Sequence, residues 1–568
     1  MLSLKDVKTR KDFAVFLGIE LKFLTYILYH IKVENLYTTF EIPKKNGGTR
    51  IINAPDKKIL KKIQNRLMNK LYNYQNKIKK DENIKINISH GFEKGKSIIT
   101  NARIHRNKRF VLNIDLKDFF ASFHFGRVVG FFEKNINFRI PKDIAIIIAQ
   151  LCCYKGSLPQ GAPTSPIISN MICNIFDMRI LKLAKKYKLD YTRYADDLTF
   201  STNNKDFLNI YNEFLLCISK EIEKAGFCIN QKKTRLFYKD SRQEVTGLVV
   251  NKKISINHSY CKYTRAMANS LYKNKSFNID GEDATMNQLE GRFAFINQID
   301  WYNNIININD NKHNDGKKSN DKKLNCREKE YQKFIFYKYF FANQKPLIIT
   351  EGKTDILYLK SAIKSLYAYF PDLIKKNSND EFEFKVSFLR RTKRLEYFLN
   401  FVKDGADSIQ NIYRFFVGRE VINYSEYFKK ITKDIAANPV ILIFDNEIPN
   451  NKKPVRKFIN FTNKKEFENI LDKKLYAHIV DNLFIATNQL VKGKKECEIE
   501  DLFNDKTLNH KIDGKVFCRD STIFDKQKHY SKEIFSKYIS KNYKDKDIDF
   551  INFKPMLKNI VEIITNYK

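Results

Sequence analysis

Apolar residues recur at intervals of three and four along several stretches of the first half of the chain. This spacing places them on one face of a helix, and it predicts helices over residues 60–74, 207–225 and 260–273. Short runs of β-branched and aromatic residues instead predict strands, over residues 109–114, 198–201 and 245–250. The first half therefore mixes helices with short strands.

A polar stretch rich in Asn, Asp, Lys and Gly follows Tyr302. Because so few of its side chains can be buried, we predict a linker or exposed loop over residues 303–330. Beyond it, strand-like runs at residues 346–350, 439–444 and 482–487 alternate with helical stretches. Such alternation is typical of an α/β domain with a mainly parallel sheet.

The amino-acid composition indicates which class of molecule the protein binds. The 568 residues are 43% hydrophobic and 14% aromatic, which suffices for about three or four packed units. The chain carries 103 Lys and Arg against 64 Asp and Glu, a formal charge of +39. Such an excess attracts polyanions, so nucleic acid is the first partner to consider and an anionic membrane surface the second. An AT-rich genome also inflates the number of Lys residues, so the charge alone does not establish a function.

Cysteine usage and the N-terminal residues bear on location. Nine cysteines show no repeated CxxC pairs, and the start MLSLKDVKTRKDF has no basic-then-apolar signal sequence. Both features predict a reducing, cytoplasmic environment. The longest apolar runs, such as IAIIIAQLCC over residues 144–153, are about half the roughly 20 residues needed to cross a bilayer. We therefore expect no membrane partner.

Two acidic segments stand at the ends of predicted strands. Asp115 lies in LNIDLKDFF, and Asp196 and Asp197 lie in RYADDLTFS between apolar runs. Adjacent acids repel each other, and divalent cations remove that cost, because carboxylate oxygens suit Mg²⁺ in a two-metal phosphoryl-transfer site. Taken alone, the YADD sequence is equally compatible with a solvated hairpin turn.

Two more segments accompany these acids, LPQGAPTSP over residues 158–166 and GFCINQKKT over residues 226–234. In this order, the four segments resemble the palm motifs of reverse transcriptases, over roughly residues 10–300. The resemblance implies an α+β right-hand polymerase with fingers, palm and thumb, two Mg²⁺ ions and dNTP substrates. It implies that Asp115, Asp196 and Asp197 bind the metals, and that Phe120 is the steric gate, the side chain that excludes a ribose 2′-hydroxyl. It also implies that Gln160 and Gly161 border the nucleotide and the template, and that Lys233 protonates pyrophosphate. A lysine with that last role would need a lowered pKa.

The segment IPKKNGGTR over residues 42–50 predicts a hairpin with a Gly-Gly turn and cations on both arms. In the family this is the fingers hairpin, and Lys44 and Arg50 resemble the side chains that clamp the incoming triphosphate. The alternative is a Lys-rich surface hairpin. The planar guanidinium suits bidentate phosphate contact, so the alternative is weaker for Arg50 than for Lys44.

Two short motifs narrow the family. NARIH over residues 101–105 and VTG over residues 245–247 resemble the NAxxH and VTG signatures of retron reverse transcriptases. These enzymes recognise a structured RNA from their own locus and prime synthesis from a 2′-hydroxyl of an internal guanosine, which gives branched RNA–DNA (msDNA). The resemblance implies RNA-binding roles, carried by Asn101, His105, Val245, Thr246 and Gly247. The alternatives are a core histidine for His105 and an ordinary strand residue for Thr246.

A second set of acids lies beyond the predicted linker. Glu351 follows the apolar run LIIT, and Asp445 and Glu447 follow the run VILIF. In an extended segment, the i and i+2 spacing points both carboxylates to one side, and the carboxyl ends of parallel strands are the expected place for a metal site. The pattern resembles a TOPRIM domain, the module of topoisomerases, primases and certain nucleases. The resemblance implies that Glu351 is the general acid/base or a metal ligand, and that Asp445 and Glu447 bind Mg²⁺ or Mn²⁺.

The match departs from the TOPRIM pattern, because the second motif normally ends in Asp and here ends in Glu447. A later pair, Glu500 and Asp501, either completes the acidic cluster or caps a helix, and we slightly favour capping. No GxxxxGK[ST] loop is present, so an ATP-driven motor within this chain is not expected.

We therefore predict a reverse transcriptase region over residues 1–302, a linker over 303–330, a TOPRIM-like α/β domain over 331–510 and a C-terminal extension over 511–568. The implied function is a retron reverse transcriptase whose attached TOPRIM nuclease is restrained by bound msDNA in antiphage defence. The alternative makes the C-terminal part a non-catalytic nucleic-acid-binding or oligomerisation scaffold. Expected partners are the cognate non-coding RNA, msDNA, dNTPs and a nucleic-acid substrate of the nuclease, with a homo-oligomer possible.

Overall fold

The computed structural model describes residues 4–44, 47–83, 88–311, 324–402, 408–491, 493–520 and 522–567, with the side chains of 306–311 left out. The chain divides into two compact units. The first unit comprises Met1–Tyr260 and Ile299–Asp315, and the second comprises Cys261–Gln298 and Gly316–Lys568.

Among the described residues up to 250, the first unit contains eight α-helices and nine strands, besides three short 3-10 or π helices. Its helices are α1 (Arg10–Leu17), α2 (Leu21–Thr25), α3 (Leu60–Asp81), α4 (Ile98–Ile104), α5 (Phe125–Lys134), α6 (Lys142–Cys152), α7 (Ser165–Lys186) and α8 (Phe207–Lys224). Its strands are β1 (Tyr37–Pro43), β2 (Thr49–Pro55), β3 (Phe110–Lys117), β4 (Asp190–Tyr194), β5 (Asp197–Thr202), β6 (Cys228–Ile229), β7 (Arg235–Tyr238), β8 (Glu244–Val245) and β9 (Leu248–Val249).

The central sheet of the first unit has the order β4-β5-β3-β6, and β7 also pairs with β3. All of these pairings are antiparallel. Leu112, Ile114 and Phe200 of its two middle strands are buried in one core with residues of α7 and α8. Alternate strand residues share a face, so this apolar packing fixes the register that places β3 beside the β4–β5 turn.

The strand predicted over residues 245–250 is wrong, because the chain folds back within it. β8 and β9 pair as a hairpin, with Val245 opposite Leu248. Thr246 and Gly247 form its two-residue turn, with φ angles of 47° and 78°. Positive φ at both central residues is the conformation that joins two strands tightly.

Four elements follow before the segment predicted as linker: α9 (His258–Asn274), β10 (Asn278–Ile279), β11 (Glu282–Asp283) and α10 (Met286–Asn311). The prediction of a loop over 303–330 is wrong at both ends, because α10 runs to Asn311 and α11 begins at Cys326. Asn325 and Glu328 form a capping box at the start of α11, a signal that the polar composition concealed. Residues 312–323 lie outside the described part.

The remaining elements belong to the second unit. Its further helices are α11 (Cys326–Phe336), α12 (Asp355–Ser365), α13 (Lys393–Leu399), α14 (Ile409–Val417), α15 (Tyr424–Thr432), α16 (Pro454–Thr462), α17 (Glu466–Lys474), α18 (Asp505–Leu508), α19 (Lys532–Asn542) and α20 (Lys554–Tyr567). Its further strands are β12 (Leu347–Thr350), β13 (Ile374–Lys376), β14 (Phe382–Phe384), β15 (Ser387–Phe388), β16 (Val440–Phe444), β17 (Tyr476–Val480), β18 (Leu483–Thr487), β19 (Val516–Phe517) and β20 (His529–Tyr530).

A five-stranded sheet with the order β15-β12-β16-β18-β17 lies at the centre of the second unit. The first four strands are parallel and β17 is antiparallel. Every residue of β12 and β16 is buried, as expected for parallel strands covered on both faces. Thr350 pairs with Ile443, so Glu351 and Asp445 leave the sheet at the same edge.

Residues 511–568, predicted as an extension, do not form a separate layer. Met556 and Leu557 of α20 and Phe535 of α19 are buried in the same hydrophobic core as Ile348 of β12 and Ile441 of β16. Among the described residues, no single helix has the length and apolarity to span a bilayer, and one bent pair, Arg10–Leu17 with Leu21–Ile31, meets both only in combination.

Candidate active sites

The sheet of the first unit brings Asp115, Asp196 and Asp197 together. Asp115 lies directly opposite Asp197 in the antiparallel pairing of β3 with β5. The β4–β5 turn closes from Tyr194 to Asp197, and the backbone amide of Leu116 donates to the carbonyl of Asp196 at 3.0 Å. Residues far apart in sequence are therefore held at one point by strand register.

Burial raises the pKa of two of these three acids. Burial, followed by the charges of Asp196 and Asp115, raises the pKa of Asp197 to about 7. Burial also raises the pKa of Asp196, against the opposing effects of Lys233 and Arg50. A bound cation favours the ionised form of such a carboxylate, because it offsets both the burial and the neighbouring like charges.

Lys233 lies in this site and contacts Asp115. Its Nζ donates to Asp115 Oδ2 at 2.9 Å, and Asn230 Nδ2 donates to Asp115 Oδ1 at 2.9 Å. The hydrogen bond to Asp115 raises the pKa of Lys233, whereas the predicted role as a proton donor requires a lowered one. In this conformation Lys233 neutralises an aspartate.

The donor chemistry fits a hard divalent cation, since three carboxylates meet beside the β4–β5 turn and Lys233 pairs with one of them. Within the described ranges, however, no three His, Cys, Asp or Glu side chains are spaced as ligands of one ion. Binding of an ion to Asp115 therefore requires that Lys233 release it. The roles of the three aspartates as metal ligands stay a prediction.

The predicted hairpin over residues 42–50 is present as β1 and β2, with positive φ at Gly47 and Gly48. Lys44 and Arg50 are both exposed near its tip. Of the two, Arg50 is close enough for its charge to act on Asp196.

Gly161 lets this hairpin approach the segment that follows α6. The backbone amide of Asn53 donates to the carbonyl of Gln160 at 2.8 Å. A Cβ on Gly161 would lie 2.8 Å from the carbonyl oxygen of Asn53, and φ is +129° there. Only glycine fits this close approach, which places Gln160 and Gly161 beside the hairpin.

A buried ion pair supports the turn that carries Asp196 and Asp197. Arg193 Nε and Nη2 donate to the two carboxylate oxygens of Asp177, each at 2.8 Å. Arg193 Nη1 donates to the carbonyl of Ala195 at 3.1 Å, and Ala195 has a φ of 56°. One guanidinium therefore joins helix α7 to the strained residue of the turn. Sequence reasoning missed both Arg193 and Asp177.

Asn101 and His105 form a second buried support. Thr192 Oγ1 donates to Asn101 Oδ1 at 2.6 Å, and His105 Nε2 and Nδ1 lie 2.7 Å from Thr192 Oγ1 and Ser201 Oγ. Because the single hydroxyl proton of Thr192 is used on Asn101, Nε2 donates and Nδ1 accepts from Ser201. The network spans β4 and β5, the two strands of the turn.

Residues 42–264 match the family of reverse transcriptases (RNA-dependent DNA polymerases). The retron Ec86 reverse transcriptase of Escherichia coli is 39% identical over 37% of this chain and 62% of its own length. The retron Mx65 reverse transcriptase of Myxococcus xanthus is 31% identical over 51% of this chain and 68% of its own length. The chain belongs to the retron reverse transcriptase family.

The similarity leaves more than a third of the Ec86 relative outside the matched region, since the chain spans 62% of its length. Among solved structures, telomerase from Candida albicans in complex with a fragment of telomeric RNA aligns with 71% of this chain and 66% of that one, at 12% identity and a TM-score of 0.31.

In this retron reverse transcriptase the NAxxH motif does not face solvent. Asn101 and His105 are both 0% exposed, so neither side chain is accessible to RNA in this conformation, and His105 lies in the core as the alternative has it. Their RNA-binding role stays a prediction. Val245 is also buried, whereas Thr246 is half-buried and Gly247 is exposed at the hairpin turn. Within the VTG motif, only the turn at Thr246 and Gly247 is therefore accessible for the predicted RNA contact.

The burial of His105 predicts a pH dependence of stability. Burial, followed by the charges of His90 and Lys108, lowers the pKa of His105 to about 3 from its ordinary 6.5. The unfolded state then binds the proton first, so stability is complete above pH 6.5 and falls as the pH drops below it, by about 2 kcal/mol at pH 5. The variant His105→Gln should therefore lose this contribution to the change in unfolding free energy between pH 7 and pH 5.

Urea unfolding at pH 7 and pH 5, followed by the fluorescence of Trp301, measures the difference between wild type and variant. Trp301 is the one tryptophan of the chain. His258→Gln, at an exposed position, is the matched control and should keep the wild-type slope. Equal slopes for the wild type and His105→Gln would contradict the prediction.

A second acidic site lies in the second unit, where β12 and β16 end. Burial, followed by the charges of Asp355 and Glu447, raises the pKa of Glu351 to about 7. Burial, Asp355 and Glu351 raise the pKa of Asp445 well above its usual range. Glu351 Oε2 is buried without a hydrogen-bond partner, which fits a bound cation.

Glu447 departs from the extended geometry predicted for it. β16 ends at Phe444, and the amide of Glu447 donates to the carbonyl of Asp445 at 3.0 Å. The chain therefore turns tightly between the two acids, and Glu447 forms an ion pair with Lys453. Its predicted role beside Asp445 stays a prediction.

Glu500 and Asp501 divide the two roles that the sequence left open. Asp501 Oδ2 accepts the amide of Glu498 at 2.9 Å and caps a short 3-10 helix. Glu500 instead is buried in the acidic site, where burial and Asp355 raise its pKa to about 7 against the effect of Lys532. The expectation of capping thus holds for Asp501 and is wrong for Glu500.

Proposed function

We propose that the first unit is an RNA-directed DNA polymerase that makes msDNA from its own non-coding RNA in the cytoplasm. Membership of the retron family supports the RNA template and priming from an RNA 2′-hydroxyl. The observation that carries the chemistry is the register that sets Asp115 opposite Asp197 and beside Asp196. When bound, Mg²⁺ lowers the pKa of the attacking hydroxyl and stabilises the leaving pyrophosphate.

The residues of the chain then divide the remaining work. The aspartates hold the ions, the fingers hairpin binds the dNTP triphosphate, and the gate excludes a ribose 2′-hydroxyl. The residues proposed for these roles are Asp115, Asp196, Asp197, Lys44, Arg50, Phe120, Gln160 and Gly161. The turn at Thr246 and Gly247 supports an RNA contact, because strained backbone that is partly exposed is typical of functional sites.

Co-purification tests the polymerase. The full chain is expressed with its native flanking DNA, and the nucleic acid that purifies with it is sequenced. We expect a covalent RNA–DNA species in which DNA begins at an internal guanosine. Linear DNA, or RNA alone, from an active preparation would contradict priming from the 2′-hydroxyl.

We further propose that the second unit is a TOPRIM-type nuclease that uses Mg²⁺ or Mn²⁺ and is restrained by bound msDNA in antiphage defence. Glu351 and Asp445 support the site, because their carboxylates share one sheet edge and repel each other without a cation. Restraint by msDNA is proposed because both units belong to one polypeptide, and a nuclease attached to a polymerase has to be kept inactive in an uninfected cell.

One observation favours a rival, a non-catalytic scaffold. Lys453 binds Glu447, and Lys532 donates to Glu498 and Glu500 at 3.1 and 3.2 Å. These lysines neutralise part of the acidic site without any metal.

The variant Glu351→Gln distinguishes nuclease from scaffold. We expect it to abolish Mg²⁺- or Mn²⁺-dependent cleavage and cell toxicity while DNA synthesis continues, because one ligand and its charge are lost. Cleavage of mixed DNA and RNA by the purified full chain is the measurement. Glu466→Gln, at an exposed acid of α17, is the control. If wild-type protein, freed of msDNA, leaves every substrate intact, the scaffold is the correct description.

A further inference from the structure

Phe92 has an unusual combination of exposure and backbone geometry. It is 40% exposed and has a φ of 61°. A bulky side chain rarely adopts positive φ, and such strain persists only where the surroundings impose it. The residue therefore has to be held by its neighbours.

The segment before Phe92 is bound to the turn that carries the catalytic acids. Ser89 forms a bridge with Arg193, and the amide of His90 donates to the carbonyl of Arg193 at 2.7 Å. A Cβ on Gly91 would lie 2.6 Å from the backbone nitrogen of Ala195, so only glycine allows these two backbone segments to approach so closely. The position of Phe92 is thereby tied to the YADD turn.

Side chains then fix the strained residue and the one before it. Asn170 Nδ2 donates to the carbonyl of Gly91 at 2.9 Å, and Tyr72 Oη donates to the carbonyl of Phe92 at 2.7 Å. These two hydrogen bonds therefore fix the backbone just before and just after the strained φ angle of Phe92.

The ring of Phe92 faces Phe120. Their centroids are 6.1 Å apart with an interplanar angle of 44°. Phe120 also contacts Phe119 edge to face at 5.4 Å, and Phe119 is buried in the core. Phe120 thus packs against two rings, one fixed in the core and one partly exposed on a strained backbone.

We propose that Phe92 is a specificity-determining positioning residue, which keeps Phe120 from tilting away when a ribonucleotide enters. The inference rests on the proposed function, in which Phe120 is the steric gate. A gate discriminates only as far as it resists displacement by the 2′-hydroxyl. Displacement of Phe120 breaks its packing with Phe92, so that packing adds to the penalty for the ribonucleotide and not to that for the deoxyribonucleotide.

The size of the effect follows from the strength of one aromatic pair. Its loss corresponds to a factor of about 2 to 10 in an equilibrium or rate ratio. We therefore expect Phe92→Leu and Phe92→Gly each to lower the selectivity for dNTP over the matching rNTP by about 2- to 10-fold.

The experiment measures kcat/KM for a dNTP and for the matching rNTP with the purified full chain. Phe92→Gly should lower selectivity through a higher kcat/KM for the rNTP, while kcat/KM for the dNTP changes little; a merely structural role predicts that both kcat/KM values fall together. Lys188→Gly is the matched control, since Lys188 also has a positive φ of 55° and is exposed.

The variant Phe120→Ala distinguishes the proposed role of Phe92 from the proposed role of Phe120 as the steric gate. If it relaxes selectivity and the Phe92 variants do not, the inference about Phe92 is overturned and the gate stands. If Phe120→Ala leaves selectivity unchanged, the gate assignment fails and the inference fails with it. Since Phe92 acts through Phe120, adding Phe92→Leu to Phe120→Ala should cause no further loss.

Discussion

Replacing Asp197 with asparagine is expected to abolish DNA synthesis, with a fall in kcat of about 1,000-fold or more. A ligand that helps to place a divalent cation is worth several kcal/mol of charge stabilisation, and about 1.4 kcal/mol corresponds to tenfold in rate. Primer extension on an RNA template measures the loss. Asp240→Asn, at an exposed acid of the same unit, should retain wild-type synthesis.

The same variant should be more stable than the wild type when no divalent cation is present. The pKa of Asp197 is raised to about 7, so the folded state binds the proton more tightly than the unfolded state. The cost of ionising Asp197 is therefore absent below about pH 4, grows between pH 4 and 7, and is constant above pH 7. At pH 8 we expect a gain of about 4 kcal/mol, since the pKa shift is about three units and one unit corresponds to about 1.4 kcal/mol.

Urea unfolding at pH 4 and pH 8 in EDTA measures this gain. A variant that is inactive and also less stable at pH 8 would show that Asp197 is structural. An inactive variant with raised stability is the pattern expected of a functional carboxylate held against its own repulsion.

Arg193→Met is expected to destabilise the first unit by about 3–5 kcal/mol, the usual cost of leaving a buried charge without its partner. Arg193 is fully buried, and Asp177 is nearly so. Synthesis should also fall, because the hydrogen bond from Arg193 to the carbonyl of Ala195 is lost. Chemical unfolding and primer extension measure the two effects.

The double variant Arg193→Met with Asp177→Leu tests the cause. Replacing both charges by apolar side chains removes the unpaired carboxylate, so most of the stability should return. Synthesis should stay low, because the bond to the turn is still missing. A double variant as unstable as the single one would contradict the role assigned to the ion pair.

The main elements of the catalytic sheet could be predicted from sequence, because local pattern and tertiary position agree there. The apolar runs around Asp115 and around Asp196 and Asp197 predict strands, and the strands observed extend them by a few residues. Arg193 was not predicted, because its partner Asp177 lies on helix α7 and no local spacing connects the two.

The sequence motifs located functional segments along the chain, but they did not predict which of their side chains are buried. The NAxxH motif resembles that of the family, yet a short motif carries no information about which side of helix α4 faces the core. His105 therefore ended as a buried hydrogen-bonding group. Likewise, Glu500 joined the second acidic site because β16 and the segment near residue 499 meet in three dimensions, where the amide of Ile499 donates to Asp445 at 2.8 Å.

The shared core of β12 and α20 has a consequence for biosynthesis. Leu557 and Ile348 belong to the same hydrophobic core. They are separated by about 200 residues, which a ribosome needs roughly 10–40 s to translate. The sheet that carries Glu351 cannot complete its core during that interval, whereas the strands around Asp115 and Asp197 have already emerged. Synthesis order alone therefore gives the half proposed to be the polymerase a head start over the half proposed to be toxic.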